Sequence, residues 1–180
     1  MAQVEKEIFF AEAEGSHAAA FIDFMNQVAK ETDFLVMDET GFQFTTEQMA
    51  SIFEQSFGSS NQLHLLALYG EEVIGAVTVR ASKQYRISHI GNVFIALRKD
   101  YWGHGIGRIL LEEVIEWAKS YDIIKRLELT VQVRNDRAVA LYQKMGFDIE
   151  GTQKWGARTD EGEWLDLYYM GKLIDDNEYW

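Results

Sequence analysis

Apolar residues recur along this chain with two different periods, and the change between them divides it. Phe21, Ile22, Met25, Val28 and Ala29 fall at helical spacing behind Ser16, whose short polar side chain suits an N-cap, so an amphipathic helix is predicted there. A second helix is predicted behind Thr45, where Thr45-x-x-Gln48 makes a capping box and Met49, Ile52, Phe53 and Phe57 mark an apolar stripe. Between them, Glu31 to Phe44 mixes acids with Phe34, Leu35, Phe42 and Phe44 at no clean period. It reads as a long loop, a kind of segment that is often functional in a compact domain.

From Leu63 the texture becomes that of strands. Leu63 to Tyr69 and Val73 to Arg80 are apolar, β-branched runs around the turn Gly70-Glu71-Glu72, the pattern of a hairpin, and Ile87 to Leu97 is a third run. Ile106, Leu110, Val114, Trp117 and Ala118 then define a helix whose far face carries Arg108, Glu112, Glu113, Glu116 and Lys119. Leu127, Leu129, Val131 and Val133 alternate with Glu128, Thr130 and Gln132, the period of a strand with one buried face. Asn135 is placed to cap a short helix, Asp136 to Met145, and Gly146 to end it in the left-handed conformation. Two last strands, Phe147 to Arg158 and Glu163 to Leu173, flank the turn Asp160-Glu161-Gly162.

Composition adds limits to this pattern. With 180 residues, 47% hydrophobic, no proline and no shift in composition, the expected organisation is one domain over 1–180. Seventeen basic against 29 acidic residues give a net charge of −12, which argues against a nucleic-acid or anionic-membrane surface and favours a cationic partner. The absence of cysteine removes disulfides, thiolate metal sites and a cysteine nucleophile. Ile8-Phe9-Phe10 is too short and too acidic in its flanks for a signal peptide, and no apolar run reaches the roughly 18 residues of a membrane span. A soluble, cytoplasmic protein is expected. His17, His64, His89 and His104 are scattered, so no metal is expected, and no Gly-x-Ser-x-Gly elbow is present.

The stretch most informative about chemistry is Leu97 to Arg108, where Gly103, Gly105 and Gly107 alternate at the junction between a buried strand and a long helix. Glycines let backbone N–H groups approach an anion closely, and the unpaired first-turn donors of a helix add partial positive charge. Such a turn suits a pyrophosphate even in an acidic protein, with Arg98, Lys99 and Arg108 nearby. The spacing is neither that of a P-loop, which needs Gly-Lys-Ser/Thr, nor the Gly-x-Gly-x-x-Gly of a dinucleotide fold.

Tyr101-Trp102-Gly103-His104-Gly105-Ile106-Gly107-Arg108-Ile109-Leu110-Leu111 resembles the pyrophosphate loop and following helix of the GNAT superfamily of acyl-CoA-dependent N-acetyltransferases. Asn135 to Phe147 resembles that family's second motif, in which Asn and Tyr precede Gly-Phe. The resemblance runs from Leu63 to about Leu173. It implies a mixed α/β (α+β) fold: a twisted, mostly antiparallel sheet of six to seven strands with one splayed parallel pair, flanked by about four helices. It also implies acetyl-CoA as cosubstrate and direct attack by a primary amine of a small molecule, a polyamine or a protein N-terminus. Where many relatives place Arg or Gln before the glycines, this chain has Trp102, so backbone donors would carry that contact.

By the same resemblance, Trp102, Gly103, His104, Gly105, Ile106, Gly107 and Arg108 hold the pyrophosphate, and amides near Phe94, Ile95 and Leu97 pair with the pantetheine arm. Asn135 bonds that arm as well as capping its helix, and Tyr142 is the acid that reprotonates the departing thiolate. The base is left open among His89, Glu31, Asp33, Asp166 and solvent. The acceptor is an amine, cationic before it reacts, and a homodimer is compatible with the family. The rival reading is a non-catalytic acyl-CoA-binding sensor that keeps the loop without acceptor chemistry.

Overall fold

The alternation of side chains along two neighbouring strands builds two cores at once. In β2 (Gln62–Tyr69), Leu63, Leu65 and Ala67 enter one apolar cluster and Leu66 enters another. In β3 (Glu72–Ala81), Ile74, Val77 and Val79 enter the first cluster while Val73 and Ala76 enter the second. A strand buried on both faces is a near-continuous apolar run, as this one is. The computed structural model describes residues 7–37 and 40–174. Its remaining strands are β1 (Ile8–Glu12), β4 (Ile90–Leu97), β5 (Arg126–Gln132), β6 (Asp148–Arg158) and β7 (Trp164–Leu173). All seven join one sheet in the order β1-β2-β3-β4-β5-β7-β6, mostly antiparallel, with β4 and β5 parallel.

Two helices, α1 (Ala18–Glu31) and α2 (Thr46–Ser56), cover one face through Phe21, Phe24, Met25, Val28, Met49 and Phe53. The other face is covered by α3 (Ile106–Tyr121), through Ile106, Leu110, Leu111, Val114, Ile115 and Ala118, and by α4 (Asp136–Lys144). Sheet and helices thus match the mixed architecture expected of the sequence. Among the described residues no helix is long and apolar enough to cross a membrane.

Two local expectations are corrected and one strand is added. Ser16 does not cap α1: it lies in a 3-10 turn, Gly15–His17, that is closed by Glu14 and His17 bonding each other's backbone, and α1 begins after His17. The capping box at Thr45 and Gln48 forms as read. Tyr85–Ile87 is a 3-10 turn, so the strand starts at Ile90 and not at Ile87. Ile8–Glu12, too short to show a period, becomes a strand only by pairing with β2, from Ile8 opposite Tyr69 to Glu12 opposite Leu65.

β4 and β5 share a short ladder, Ile90 with Arg126, Gly91 with Leu127 and Asn92 with Glu128, and then part. The closed end is packed tightly: a Cβ at Gly91 would meet Val79 Cγ1 at 2.7 Å and Leu127 Cδ2 at 3.2 Å, so only glycine fits. Val93 to Leu97 and Leu129 to Gln132 face each other across an opening.

His64 on β2 is 5% exposed, with Nδ1 2.9 Å from Ser56 Oγ and its ring edge-on to Phe53. Burial first, and the charge of Arg80 second, lower its pKa from 6.5 to about 4, so the folded protein holds it neutral. A depressed folded-state pKa gives stability that is complete above about pH 6.5 and lost as the pH falls towards about 4. Urea unfolding of the wild type should show a His64-dependent loss of about 3 kcal/mol over that window. The same window should be flatter in His64→Gln, and parallel curves for the two proteins would show that another group titrates.

Candidate active site

The splay leaves one edge of β4 without a strand partner. Arg98 N–H donates to Ile74 O on β3 at 2.9 Å, and the β3–β4 register runs without a shift. Backbone direction alternates along a strand, so the N–H groups of Ala96 and Phe94 also point to β3, while those of Leu97, Ile95 and Val93 point into the opening. Of the three amides named in the sequence analysis, those of Ile95 and Leu97 face the opening and that of Phe94 faces β3. Its ring packs in the layer of α1 and α2.

The turn into α3 gives each glycine a separate reason. Gly103 and Gly105 have φ of +80° and +79°, conformations that disfavour side chains. Gly105 is the N-cap residue of α3, and a Cβ there would meet nothing within 4 Å, so the space over the turn is open. Gly107 is a packing glycine: its Cβ would lie 3.3 Å from Leu141 Cδ2 of α4. The first helical hydrogen bond is Ile109 N–H to Gly105 O, so the amides of Ile106, Gly107 and Arg108 precede the helical ladder as anion donors. Trp102 turns inward: its indole N–H donates to Leu97 O at 3.0 Å, closing a carbonyl at the mouth of the splay, and Arg137 lies 5.5 Å over its ring.

These groups surround a cleft of about 520 Å³ lined by Ile95, Leu97, Trp102, Gly103, Gly105, Ile106, Gly107, Arg108, Asn135 and Tyr142, with Arg137 and Lys144. His104 is exposed and does not line it, and Arg98 is drawn away into ion pairs with Glu31 and Glu72. The cleft's cations are therefore Arg108, Arg137 and Lys144, and no Asp or Glu is among its described lining residues. The cleft is thus locally cationic inside a protein of net charge −12, although Arg108 also bonds Glu112 at 2.8 Å. Arg137 and Lys144 both lie within the Asn135 to Phe147 motif, but nothing local to that motif marks them as cleft residues. The packing of α4 beside α3, with Leu141 against Gly107, sets Arg137 next to Gly103 and puts Lys144 on the same cleft.

Asn135 caps α4, its Oδ1 accepting from Ala138 N–H at 3.3 Å, and its amide NH₂ remains as a donor. Tyr142, buried at 7% exposure, sits about two helical turns further on, with its ring against Phe147. Burial raises the phenol well above its usual pKa of 10, so it keeps its proton at neutral pH.

A second and larger cavity, about 1330 Å³, lies beyond the cleft, between residues 29–37 and the β6–β7 turn. Thr32, Phe34, Leu35 and Trp102 line both spaces. Of the carboxylates considered as a base, Glu31 and Asp33 line this cavity. Glu31 accepts from Lys99 N–H at 2.7 Å and faces Arg98 at 3.7 Å, and Asp33 pairs with Arg134 at 2.8 Å. Asp166 accepts from Trp155 N–H at a β-bulge and lines neither space. His89 is exposed at the closed end of the β4–β5 pair, away from the opening. Among the described residues no three His, Asp or Glu side chains group as a metal site.

Residues 29–147 match the family model described as the acetyltransferase (GNAT) family. The chain is 46% identical to an acetyltransferase of the GNAT family from Streptococcus pneumoniae, whose crystal structure superposes with a TM-score of 0.91 over 93% of this chain and 100% of that one. L-amino acid N-acetyltransferase AaaT of Escherichia coli (strain K12) is 35% identical over 109 residues, which make up 61% of this chain and 67% of the relative. Other curated relatives are matched over about half their length. The structure of yncA from Salmonella typhimurium with its cofactor acetyl-CoA shares the fold, with a TM-score of 0.77 at 18% identity and 96% coverage of each chain.

The state of Tyr142 can be checked directly. In an ultraviolet titration of the native protein, the Tyr142 step should be missing from the ordinary tyrosine range and should emerge only with unfolding. Tyr142→Phe should leave the native titration unchanged and shrink the unfolded one. A step near pH 10 that Tyr142→Phe removes would contradict the burial argument.

Proposed function

This chain belongs to the acetyltransferase (GNAT) family, and on that premise we propose that residues 1–180 act as one domain that moves the acetyl group of acetyl-CoA directly onto a primary amine. The observation that carries the proposal is a cleft lined by free helix N-terminal amides, by Arg108, Arg137 and Lys144, and by a protonated, buried phenol.

In this reading the pyrophosphate lies on the amides of Ile106, Gly107 and Arg108, with the charges of Arg108, Arg137 and Lys144 around it. The pantetheine arm continues β4 as a further strand, bonding the open N–H groups of Leu97 and Ile95, with Asn135 as a donor from the α4 side. The neutral amine attacks the thioester carbon, a C–N bond forms, and the carbonyl oxygen becomes an oxyanion. An N–H on the open edge of β4 is the donor available to that charge. Collapse breaks the C–S bond, and Tyr142 passes its proton to the leaving thiolate. The ammonium proton leaves by way of water, which also returns a proton to Tyr142, and Glu31, Asp33, Asp160 and Glu161 are the carboxylates on the larger cavity. Because the relatives include an L-amino acid N-acetyltransferase, the acceptor class favoured is a molecule with a free amine, small or at a peptide N-terminus.

Two substitutions separate the roles. Tyr142→Phe should lower kcat roughly 100-fold or more while leaving the acetyl-CoA dissociation constant within a few-fold. Unchanged turnover would remove Tyr142 as the acid. Gly105→Val forces a β-branched residue to positive φ, a strain of about 1–2 kcal/mol, and should weaken CoA binding about tenfold. An unaltered dissociation constant would reject the loop assignment. The broad test is thiol release from acetyl-CoA across amino acids, polyamines and N-terminal peptides. CoA binding without turnover on any of them would leave a binding module in place of an enzyme.

A further inference from the structure

The segment that follows α1 crosses the opening between the splayed strands and is fastened to both sides. On the β4 side, Glu31 accepts from Lys99 N–H at 2.7 Å and lies 3.7 Å from Arg98 Nε. On the β5 side, the buried amide of Gln132 donates to Asp33 O at 2.9 Å, and Arg134 Nη2 pairs with Asp33 Oδ1 at 2.8 Å. Gln132 Oε1 in turn accepts from Arg134 Nε at 2.8 Å, so the guanidinium is held by two partners. Thus fixed, it lies 5.1 Å over the ring of Phe34, and Phe34 N–H closes a turn on Thr32 Oγ1 at 3.1 Å. Loops are ordinarily loose, but this one is tied down at Glu31, Asp33 and Phe34, just where the two cavities meet.

Phe34 lines both spaces, as do Thr32 and Leu35 of the same segment, and an acyl group passed from a donor in the smaller cleft to an acceptor in the larger cavity must lie where the two meet. A ligand that entered with its diphosphate on the turn would bring its acyl end to that segment. We infer that Phe34, clamped by Arg134, is a specificity-determining residue that closes the acyl end of the cleft and restricts the donor to short chains such as acetyl. The inference rests on the acetyl-transfer reading of the same cleft. The acyl methyl has room before the ring, and a longer chain must displace the ring against its fastenings or run into the space the acceptor needs. Arg134 is a positioning residue in this arrangement, since it acts only through Phe34 and Asp33.

The experiment is a dissociation-constant series by calorimetry with acetyl-, butyryl- and hexanoyl-CoA, paired with thiol-release rates. In the wild type, affinity and kcat/KM should fall with chain length. Phe34→Ala should shift the hexanoyl-to-acetyl ratio by at least tenfold towards the longer chain, and Phe34→Tyr should retain the wild-type ratio. Arg134→Gln should move the ratio in the same direction but less, an effect that a purely structural ion pair would not have. An unchanged ratio in folded Phe34→Ala, with CoA itself still bound, would overturn the inference and leave the transfer reading intact. A wild-type chain that binds no CoA would overturn both.

Discussion

The site depends on two parallel strands that stop pairing after three residue pairs. Once β4 and β5 part beyond Asn92 and Glu128, the polar groups on their facing edges have no sheet partner. A buried, unpaired backbone group costs about 1–3 kcal/mol, so each must be met by a side chain, by solvent or by a ligand. The protein meets some of them itself and leaves others open. Trp102 takes the carbonyl of Leu97, while the N–H groups of Leu97 and Ile95 remain towards the cleft. An acyl-CoA arm is a strand-like occupant for such an edge.

Holding the strands apart is itself a packing problem. At the closed end Gly91 lets Val79, Leu127 and Ile124 approach closely, which draws the strands together. At the open end the cores on the two faces of the sheet keep β4 and β5 in place. The segment from Glu31 to Phe34 spans the gap by side-chain and main-chain bonds, without sheet pairing. The opening is thus propped at its mouth by the loop that also separates the two cavities.

Charge works at the same local scale. A net charge of −12 says little about a cleft whose described lining includes Arg108, Arg137 and Lys144 and no carboxylate. Carboxylates line the larger cavity instead, where Glu31, Asp33, Asp160 and Glu161 stand among Lys30, Lys99 and Arg158. An anionic donor and an amine acceptor would meet different surroundings on the two sides of the same gap.

Much of this was legible in the chain before it folded. Helical spacing marks α1 to α4, apolar β-branched runs mark β2 and β3, period-two alternation marks β5, and the glycine run marks the turn into α3, because each is a local consequence of side-chain size and polarity. What the pattern could not determine were features that exist only between distant segments. Ile8–Glu12 is a strand only beside β2, and Phe94 turns to β3 and the α1/α2 layer only through the β3–β4 register. His89 and Asp166 carry suitable chemistry, yet the fold holds one at the closed end of the strand pair and the other on a bulge. Arg137, Lys144 and Phe34 join the site because α4 packs beside α3 and the loop after α1 crosses the splay. The sequence therefore specified the elements and the anion-binding turn through near-neighbour physics. Which groups face one another across the opening was decided by long-range register and packing, which no local period records.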